Sequence, residues 1–156
     1  MEKVFSGRVW TMRRDIDTDI IIPTQYLGLP MPEMCKHVFE PLYPELAARL
    51  KQGDIIVAGP NFGCGSSREM APEAMKNAGI RCVIAPSFAR IFFRNSFNNG
   101  MLLLENDELY KHVKDGETVT VDLERLCVVH NGTDYPIPKI PDNLLEIVEN
   151  GGLVQT

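Results

Sequence analysis

The chain has 156 residues, a length that suits a single compact domain spanning residues 1–156. Its composition is ordinary for a globular protein, and its formal net charge of −5 at pH 7 does not fit a nucleic-acid-binding protein. No window approaches the roughly 18 consecutive apolar residues of a membrane span, and the first residues lack the apolar run of a signal peptide. We therefore expect a cytoplasmic protein with neither a membrane nor a nucleic acid as its partner.

Apolar runs and turn residues predict alternating strands and helices in the middle of the chain, between ends rich in strands. Strands are expected at residues 4–10, 54–58, 81–85, 101–104, 118–122, 126–129 and 135–137, with a hairpin turn at 131–132. Helices are expected at 45–51, from about 72 to 79, from a Ser87 cap through 99, at 106–114 and at 142–150. Residues 24–44 are rich in proline and are expected to form a loop with short helical pieces. This order predicts an α/β fold in which a mixed sheet packs against helices.

The segment Asn-Phe-Gly-Cys-Gly-Ser-Ser-Arg-Glu at residues 61–69 lies between a predicted strand and a predicted helix. Its glycines permit a tight turn and a close approach to a ligand, and free N–H groups at a helix start bind anions. Such N–H groups and Arg68 could stabilise a Ser66 alkoxide, which could then take a proton from a carbon beside a carboxylate. Arg68 could also hold a substrate carboxylate through two hydrogen bonds. These groups suit the hydration or dehydration of a hydroxy acid, apart from the Lewis acid that draws off the hydroxyl.

Other interpretations of this segment remain open. Ser66 and Glu69 have the spacing of a capping box, in which Ser66 only closes a helix. Arg68 stands where a dinucleotide fingerprint has its third glycine, and the chain contains neither a P-loop nor Gly-x-Ser-x-Gly. A serine hydrolase would need a histidine beside Ser66. The sequence offers three histidines, each expected at the surface: His37, His112 and His130.

Asp15, Asp17 and Asp19 imitate the start of a calcium-binding EF-hand, but the glycine and glutamate that such a loop requires are missing. The segment is interpreted as an ordered loop, with the placing of Asp17 and Thr18 near a ligand as the alternative.

The four cysteines have no Cys-x-x-Cys spacing and are expected to be reduced and buried, at positions 35, 64, 82 and 127. No metal site formed by this chain alone is expected. Cys64 is interpreted as a small packing thiol, with a reactive thiolate of lowered pKa as the alternative.

Three motifs in this order resemble those of the small subunits of 3-isopropylmalate dehydratase. Residues 61–69 resemble the first signature of that family, and Ile-Ala-Pro-Ser-Phe-Ala-Arg-Ile-Phe at 84–92 resembles the second. Gly-Arg-Val-Trp at 7–10 and Asp-Thr-Asp at 17–19 resemble its opening. The similarity runs from about residue 5 to the C-terminus. It implies the aconitase superfamily and its swivelling β/β/α domain.

In that family a separate large subunit holds a [4Fe–4S] cluster, whose open iron binds the substrate hydroxyl and a carboxylate, and the small subunit closes over it. The resemblance implies that this chain binds no cofactor itself and that its partners are the large subunit and a small hydroxy-diacid. Self-association of the isolated subunit is left open. It also implies that Ser66 is the catalytic base that removes the Cα proton as an alkoxide.

Further residues are assigned to substrate binding by the same resemblance. Ser67 and neighbouring N–H groups, including that of Gly65, stabilise the alkoxide or bind a carboxylate, and Arg68 binds a substrate carboxylate. Ser87 and Arg90 lie in the second signature and supply supporting contacts. For Arg90 the alternative is a helix-surface arginine without a ligand.

The expected specificity loop begins at Tyr26, Leu27, Gly28 and Leu29 and runs on to Met34. In homoaconitase relatives an arginine follows the Tyr-Leu pair and pairs with a distal carboxylate, whereas Gly28 stands there in this chain. The apolar side chains around Gly28 favour an isopropyl or methyl substituent over a third carboxylate. The loop is expected to be mobile until substrate and partner close it.

The leading hypothesis is a heteromeric hydro-lyase subunit that interconverts 2-isopropylmalate and 3-isopropylmalate in leucine biosynthesis. Alternatives within the family are dehydratases of 2,3-dimethylmalate, citramalate-type or homoaconitase-type substrates. A non-catalytic anion-binding module and a serine hydrolase are the alternatives from other classes.

Overall fold

A computed structural model of the chain describes residues 2–66 and 69–152. Within these residues seven strands form one sheet in the order β4-β3-β2-β1-β5-β6-β7. The strands are β1 (Val4–Met12), β2 (Asp54–Ala58), β3 (Ile80–Ala85), β4 (Leu102–Glu105), β5 (Thr118–Asp122), β6 (Cys127–His130) and β7 (Thr133–Pro136). β1 to β4 pair in parallel, whereas β5, β6 and β7 continue the sheet from β1 in antiparallel fashion. The sheet is therefore mixed, as the order of predicted elements indicates.

Six α-helices occur in the same described residues, most of them short. They are α1 (Thr18–Ile21), α2 (Met31–Met34), α3 (Leu46–Arg49), α4 (Met70–Asn77), α5 (Arg90–Asn98) and α6 (Asp142–Glu149). Single 3-10 turns lie at Thr24–Tyr26, Cys35–His37 and Leu109–Lys111. Among these helices none is long and apolar enough to cross a membrane.

The parallel half of the sheet forms the centre of the hydrophobic core. Every residue of β2 is buried, and so is all of β3 except Arg81. Helices α4 and α5 connect β2 to β3 and β3 to β4, and both bury apolar faces, including Met75 and Phe97. Strands covered on both faces read as continuous apolar runs, which explains why this βαβαβ unit is predictable from the sequence.

Several predicted elements are confirmed in place. β2 and β5 have the predicted bounds, and the other strands shift by one or two residues at their ends. Asn131 and Gly132, between β6 and β7, both have positive φ angles, 50° and 78°, as a tight hairpin turn requires. Gly79 and Gly151 follow α4 and α6 with left-handed φ angles of 105° and 80°.

Two helix predictions are wrong. Residues 106–114 contain only the 3-10 turn at Leu109–Lys111, whose start the Asn106 side-chain oxygen caps by accepting from two backbone amides at 2.9 and 2.8 Å. The turn does not extend into a longer helix, and the Lys114 amide donates instead to the Glu117 side chain at 2.7 Å. Ser87 does not cap α5, since Ala89 occupies the N-cap position without a side-chain hydrogen bond.

Candidate functional site

Three loops meet where β1, β2 and β3 end, because the carboxyl ends of parallel strands lie at one edge of a sheet. The Gly63 amide donates to the Ile16 carbonyl at 2.7 Å and the Thr18 amide to the Cys64 carbonyl at 3.0 Å. On the other side, the Phe62 amide donates to the Ser87 carbonyl at 3.1 Å. The loop after β2 is therefore held between the loops that follow β1 and β3.

The glycine-rich segment turns through a series of left-handed residues. Asn61, Gly63 and Gly65 have φ angles of 64°, 83° and 91°. At Gly63 a β-carbon would lie 2.2 Å from the Phe92 ring, so both backbone conformation and packing require glycine there. At Asn61 the side-chain amide donates to Asp15 at 2.9 Å, and asparagine tolerates this conformation better than most residues.

A cavity of about 220 Å³ opens beside this turn, at the start of α5. Its lining consists of Thr18, Gly63, Gly65, Ser66, Ala89, Arg90, Ile91 and Phe92. The sequence predictions for Gly65, Ser66 and Arg90 therefore converge on one place, although residues 65 and 90 belong to separate loops. Ser66 and Arg90 are exposed there to solvent.

The start of α5 makes one wall of the cavity suitable for an anion. Ala89 supplies no side-chain oxygen to the first turn of the helix. The first amides of a helix have no partner within the helix, and the aligned peptide dipoles place partial positive charge at that end. The Arg90 guanidinium adds a full positive charge at the same rim. A carboxylate, or an alkoxide on Ser66, would be stabilised in this cavity.

Thr18 and Asp17 hold in place the part of the glycine-rich segment that contains Ser66, residues 61–66, which we call the serine loop. The Thr18 hydroxyl donates to the Ser66 carbonyl at 2.8 Å, and Thr18 is itself buried. Asp17 caps α1 by accepting from the Ile20 amide at 3.0 Å. The order that the sequence predicts for this segment is confirmed, and Thr18 also lines the cavity.

The capping-box interpretation of Ser66 is wrong. Helix α4 begins at Met70, and Glu69 occupies its N-cap position rather than the third position of the helix. Ser66 therefore lies before the N-cap residue of α4, so helix capping does not explain why a serine occurs at this position.

Other predicted residues have mixed outcomes. Ser67 and Arg68 lie outside the described residues. Ser87 does not line the cavity, and its hydroxyl accepts from the Asn61 amide at 2.8 Å, which ties the third loop to the second. A substrate contact for Ser87 thus stays a prediction beside this observed contact.

The loop at Tyr26–Leu29 lies apart from the lining of this cavity. Leu29 is 38 % exposed, and at Gly28 no atom lies within 4 Å of the position that a β-carbon would occupy, whereas Leu27 packs partly against the core. Met34, which the sequence groups with the apolar loop, is buried in the core. Leu29 is therefore the side chain of this loop that is best placed to meet a ligand.

The histidine predictions are correct in part. His112 is exposed and His37 is half-buried, but the prediction of a surface residue is wrong for His130, which is buried on β6 beside Glu117. In the described part of the chain no histidine lines the cavity that contains Ser66. This arrangement gives no support to a serine-hydrolase pair.

All four cysteines are free, and Cys82 and Cys127 are buried while Cys35 and Cys64 are half-buried. Burial, followed by the nearby carboxylates of Asp17 and Asp15, raises the pKa of the Cys64 thiol. The interpretation of Cys64 as a packing thiol is supported, and that of a reactive thiolate of lowered pKa is wrong. Burial raises the pKa of Cys82 to about 12.

A wider cleft of about 880 Å³ lies beside β4 and β7. Its walls carry four carboxylates, those of Glu105, Asp107, Glu108 and Asp134. A dianion would be repelled there. The smaller cavity at α5 is therefore the better site for an acidic ligand.

Comparison with known proteins identifies the family to which the chain belongs. Residues 34–109 match the family model described as the aconitase C-terminal domain. A 3-isopropylmalate dehydratase small subunit from Lachnospira eligens is 58% identical over 99% of this chain and 94% of its own length. A second, small subunit 1 from Archaeoglobus fulgidus, is 54% identical over 96% of this chain and 94% of its own length. The chain belongs to the family of 3-isopropylmalate dehydratase small subunits.

A solved structure confirms the fold of this small-subunit family member. The crystal structure of 3-isopropylmalate dehydratase from Methanocaldococcus jannaschii superposes with a TM-score of 0.89 at 38% identity, covering 96% of this chain and 90% of that one. The predicted α/β class, with a mixed sheet against helices, is thereby confirmed.

Sequence reasoning missed some residues that shape the site of this family member. Phe92 lines the cavity and excludes any side chain at position 63. Asn61 joins the first two loops through Asp15. The signal for Asn61 was its place before the glycines, since asparagine is frequent at positive φ. Phe92 and Gly63 are far apart in the sequence, so no local sequence pattern indicates that they are in contact.

Proposed function

We propose that this chain is the small subunit of a heteromeric hydro-lyase that interconverts 2-isopropylmalate and 3-isopropylmalate, a step of leucine biosynthesis. The proposal rests on one observation: in a chain of this family, Ser66 and the start of α5 line the same cavity. The whole chain acts as one domain in this proposal.

In the proposed reaction Ser66, as an alkoxide, takes the proton from the carbon next to a carboxylate. The electron pair of that C–H bond forms the carbon–carbon double bond while the C–O bond on the neighbouring carbon breaks, and the departing hydroxide takes up a proton from solvent or from the partner subunit to become water. Addition of water with the opposite placement of proton and hydroxyl gives the isomer. Serine is a weak base, so the reaction depends on stabilising its alkoxide by the partial positive charge of α5.

The substrate carboxylates are proposed to bind to groups of this chain at the cavity rim. Arg90 and the first amides of α5 offer one such place, and Arg68 and Ser67 are assigned a second by family resemblance. Arginine binds a carboxylate through two parallel hydrogen bonds, which fixes the orientation of the reacting carbon. Leu29 and the other apolar residues of the loop at 26–29 are proposed to face the alkyl substituent.

The Lewis acid is proposed to come from the large subunit, whose [4Fe–4S] cluster polarises the substrate hydroxyl. The cysteines of this chain do not fit such a cluster, because Cys82 on β3 and Cys127 on β6 are separated by β2, β1 and β5. In residues 2–66 and 69–152, no group of three or more His, Cys, Asp or Glu side chains is arranged to hold a metal ion.

Reconstitution tests the proposed function. With the large subunit under anaerobic conditions, Ser66→Ala is expected to lower kcat by about three or more orders of magnitude while the complex still forms. Ser6→Ala is the matched control, since the Ser6 hydroxyl on β1 pairs with that of Thr120 on β5 and neither residue lines the cavity. Turnover of the wild type without a partner, or normal turnover of Ser66→Ala, would contradict the assignment. A panel that includes 2,3-dimethylmalate and citramalate measures the substrate preference.

A further inference from the structure

Three polar side chains, one from the first residue of the exposed loop at 26–29 and two from residues that follow the loop, form a cluster. The Tyr26 hydroxyl donates to one carboxylate oxygen of Glu40. The other oxygen of Glu40 lies 2.7 Å from Nδ1 of His37. The Tyr26 and His37 rings stack face to face, with centroids 3.7 Å apart and planes at 8°. Each member of the cluster therefore contacts both of the others.

The cluster is tied to the rest of this loop by a backbone hydrogen bond. The Leu29 amide donates to the Tyr26 carbonyl at 3.1 Å. Between these residues Gly28 is exposed and has no neighbour within 4 Å of its β-carbon direction. A displacement of Tyr26 would thus move Leu29 through this hydrogen bond, because Gly28 has no packing contact in its β-carbon direction, although Leu27 packs partly against the core.

On its other side the cluster is anchored to the serine loop. Phe39 precedes Glu40, has a left-handed φ of 59° and is fully buried. Its amide donates to the Ile21 carbonyl at 3.0 Å, and its ring centroid lies 6.3 Å from that of Phe62. Phe62 belongs to the glycine-rich segment that ends at Ser66. Glu40 consequently occupies a fixed place relative to the reacting loop.

We propose that Tyr26, His37 and Glu40 are positioning residues, which set the place of Leu29 over the alkyl group of the diacid. The inference rests on the proposed function, in which this loop faces that group. None of the three residues lines the cavity at Ser66, so they take no part in proton transfer, and in this proposal they act through the hydrogen bond between Tyr26 and Leu29. Hydrogen bonds from Tyr26 and then His37 hold the pKa of Glu40 below its ordinary value, so the acceptor stays ionised at neutral pH.

Amide relaxation in the isolated subunit tests the positioning without any turnover. In Tyr26→Phe the ring remains on His37 but the hydroxyl is lost, and in Glu40→Gln the ionised acceptor is lost. We expect the 15N order parameters of Gly28 and Leu29 to fall below their wild-type values in both variants, towards the values below about 0.6 that mark flexible backbone. Order parameters that stay at the wild-type value in both would overturn the proposal.

Matched controls separate positioning from general stability. Tyr43→Phe removes a hydroxyl that lies 3.3 Å from the Asp115 carboxylate, and Glu117→Gln alters a carboxylate that pairs with His130 at 3.1 Å. The Tyr43 amide donates to the Phe39 carbonyl at 2.7 Å, but its hydroxyl, the group removed, bonds to Thr11 and Asp115, and Glu117 pairs with β6. We expect the amides of Gly28 and Leu29 to be unchanged in these variants. Equal changes in all four variants would mean a global effect and would refute the positioning role.

Kinetics of the reconstituted enzyme provide the second readout. Tyr26→Phe and Glu40→Gln are expected to raise KM for 3-isopropylmalate about five- to tenfold, with kcat changed by less than about twofold. A loss confined to kcat would overturn the inference, because it would indicate a role in the chemistry. If the wild-type mixture has no turnover, the proposed function fails while the relaxation data still decide whether the cluster positions the loop.

Discussion

Gly63 is the residue on which the shape of the cavity most depends. Its φ of 83° lies in the region that side chains disfavour, and the Phe92 ring occupies the space of a β-carbon. Phe92 in turn packs edge-on against Phe62, with centroids 5.6 Å apart. The serine loop and the first turn of α5 are thus in direct contact at this glycine.

A substitution at Gly63 should therefore cost more than backbone strain alone. Gly116 has a similar φ of 87° but open space around its β-carbon direction, so Gly116→Ala should cost about 1–2 kcal/mol from the backbone. Gly63→Ala should cost about 1–3 kcal/mol more, because the Phe92 ring must move. Urea unfolding of both variants measures the difference, and equal losses would show that Phe92 yields without cost.

At the scale of residues, the family motifs name groups that the structure brings together, while the roles of these groups stay predictions. Gly65, Ser66 and Arg90 were assigned to one site and do line one cavity. The contacts that hold this site, such as Asn61 with Asp15, join residues distant in the chain. A sequence pattern with a short period carries no information about such pairs, so they became visible only in the folded chain.

Helix α5 packs into the core and also forms one wall of the cavity, and the second role leaves its first turn without a side-chain cap. Its side chains Phe92 and Phe97 enter the core, while its first turn faces the cavity. A helix of this kind is usually closed by a side-chain cap, yet Ala89 has none. An uncapped start is less stable but leaves the amides available to an anion.

A side-chain cap introduced at Ala89 should therefore raise the stability of the protein and lower its activity. Ala89 has the extended conformation of a cap residue, with φ −60° and ψ 139°. Ala89→Asp should stabilise the protein by about 1 kcal/mol and lower kcat/KM with the large subunit by about tenfold or more, because its carboxylate competes with the substrate.

Ala89→Asn is the matched control for this change, since it caps the helix without adding charge. We expect a similar gain in thermal stability from Ala89→Asn, with a smaller loss of kcat/KM. An unchanged kcat/KM in Ala89→Asp would show that the substrate does not use the start of α5.

At the scale of elements, the strands with a clear pattern of buried residues were the ones whose bounds the sequence predicted correctly. β2 is a continuous apolar run and β5 alternates buried with half-buried or exposed residues, so each has a clear pattern and both were located correctly. The helix expected at residues 106–114 is reduced to one turn, and the Lys114 amide at its end binds the Glu117 side chain. Ser87 likewise binds the neighbouring loop rather than its own helix.

The whole molecule depends on a connection between β1 and β2, two parallel strands at the centre of the sheet, of which β1 also pairs with the antiparallel half through β5. Asp54 begins β2, and its side chain is only 5% exposed. It accepts from the Arg8 guanidinium at 2.8 Å, from the Trp10 indole at 2.9 Å and from the Lys51 amide at 2.9 Å. This carboxylate thus fixes the first strand against the second.

Burial alone would raise the pKa of Asp54, but the hydrogen bonds from Arg8, the Lys51 amide and Trp10 outweigh it and hold the pKa below its ordinary 3.8. A carboxyl whose pKa is lower in the folded chain stabilises the fold above its unfolded pKa. That contribution is lost as the pH falls through the folded pKa. The acid side of the stability curve should therefore report on this group.

Asp54→Asn should lower the free energy of unfolding at pH 7 by about 2–3 kcal/mol, since charged acceptors make the stronger hydrogen bonds. Below the folded pKa the wild-type carboxyl is neutral as well, so the curves of the two proteins should converge in acid. Urea unfolding between pH 7 and about pH 2.5 measures this convergence. Asp134→Asn, which breaks an exposed pair with Arg125, should change stability by less than about 1 kcal/mol. Wild-type and Asp54→Asn curves that stay parallel down to the lowest pH would show that Asp54 acts through packing and not through its charge.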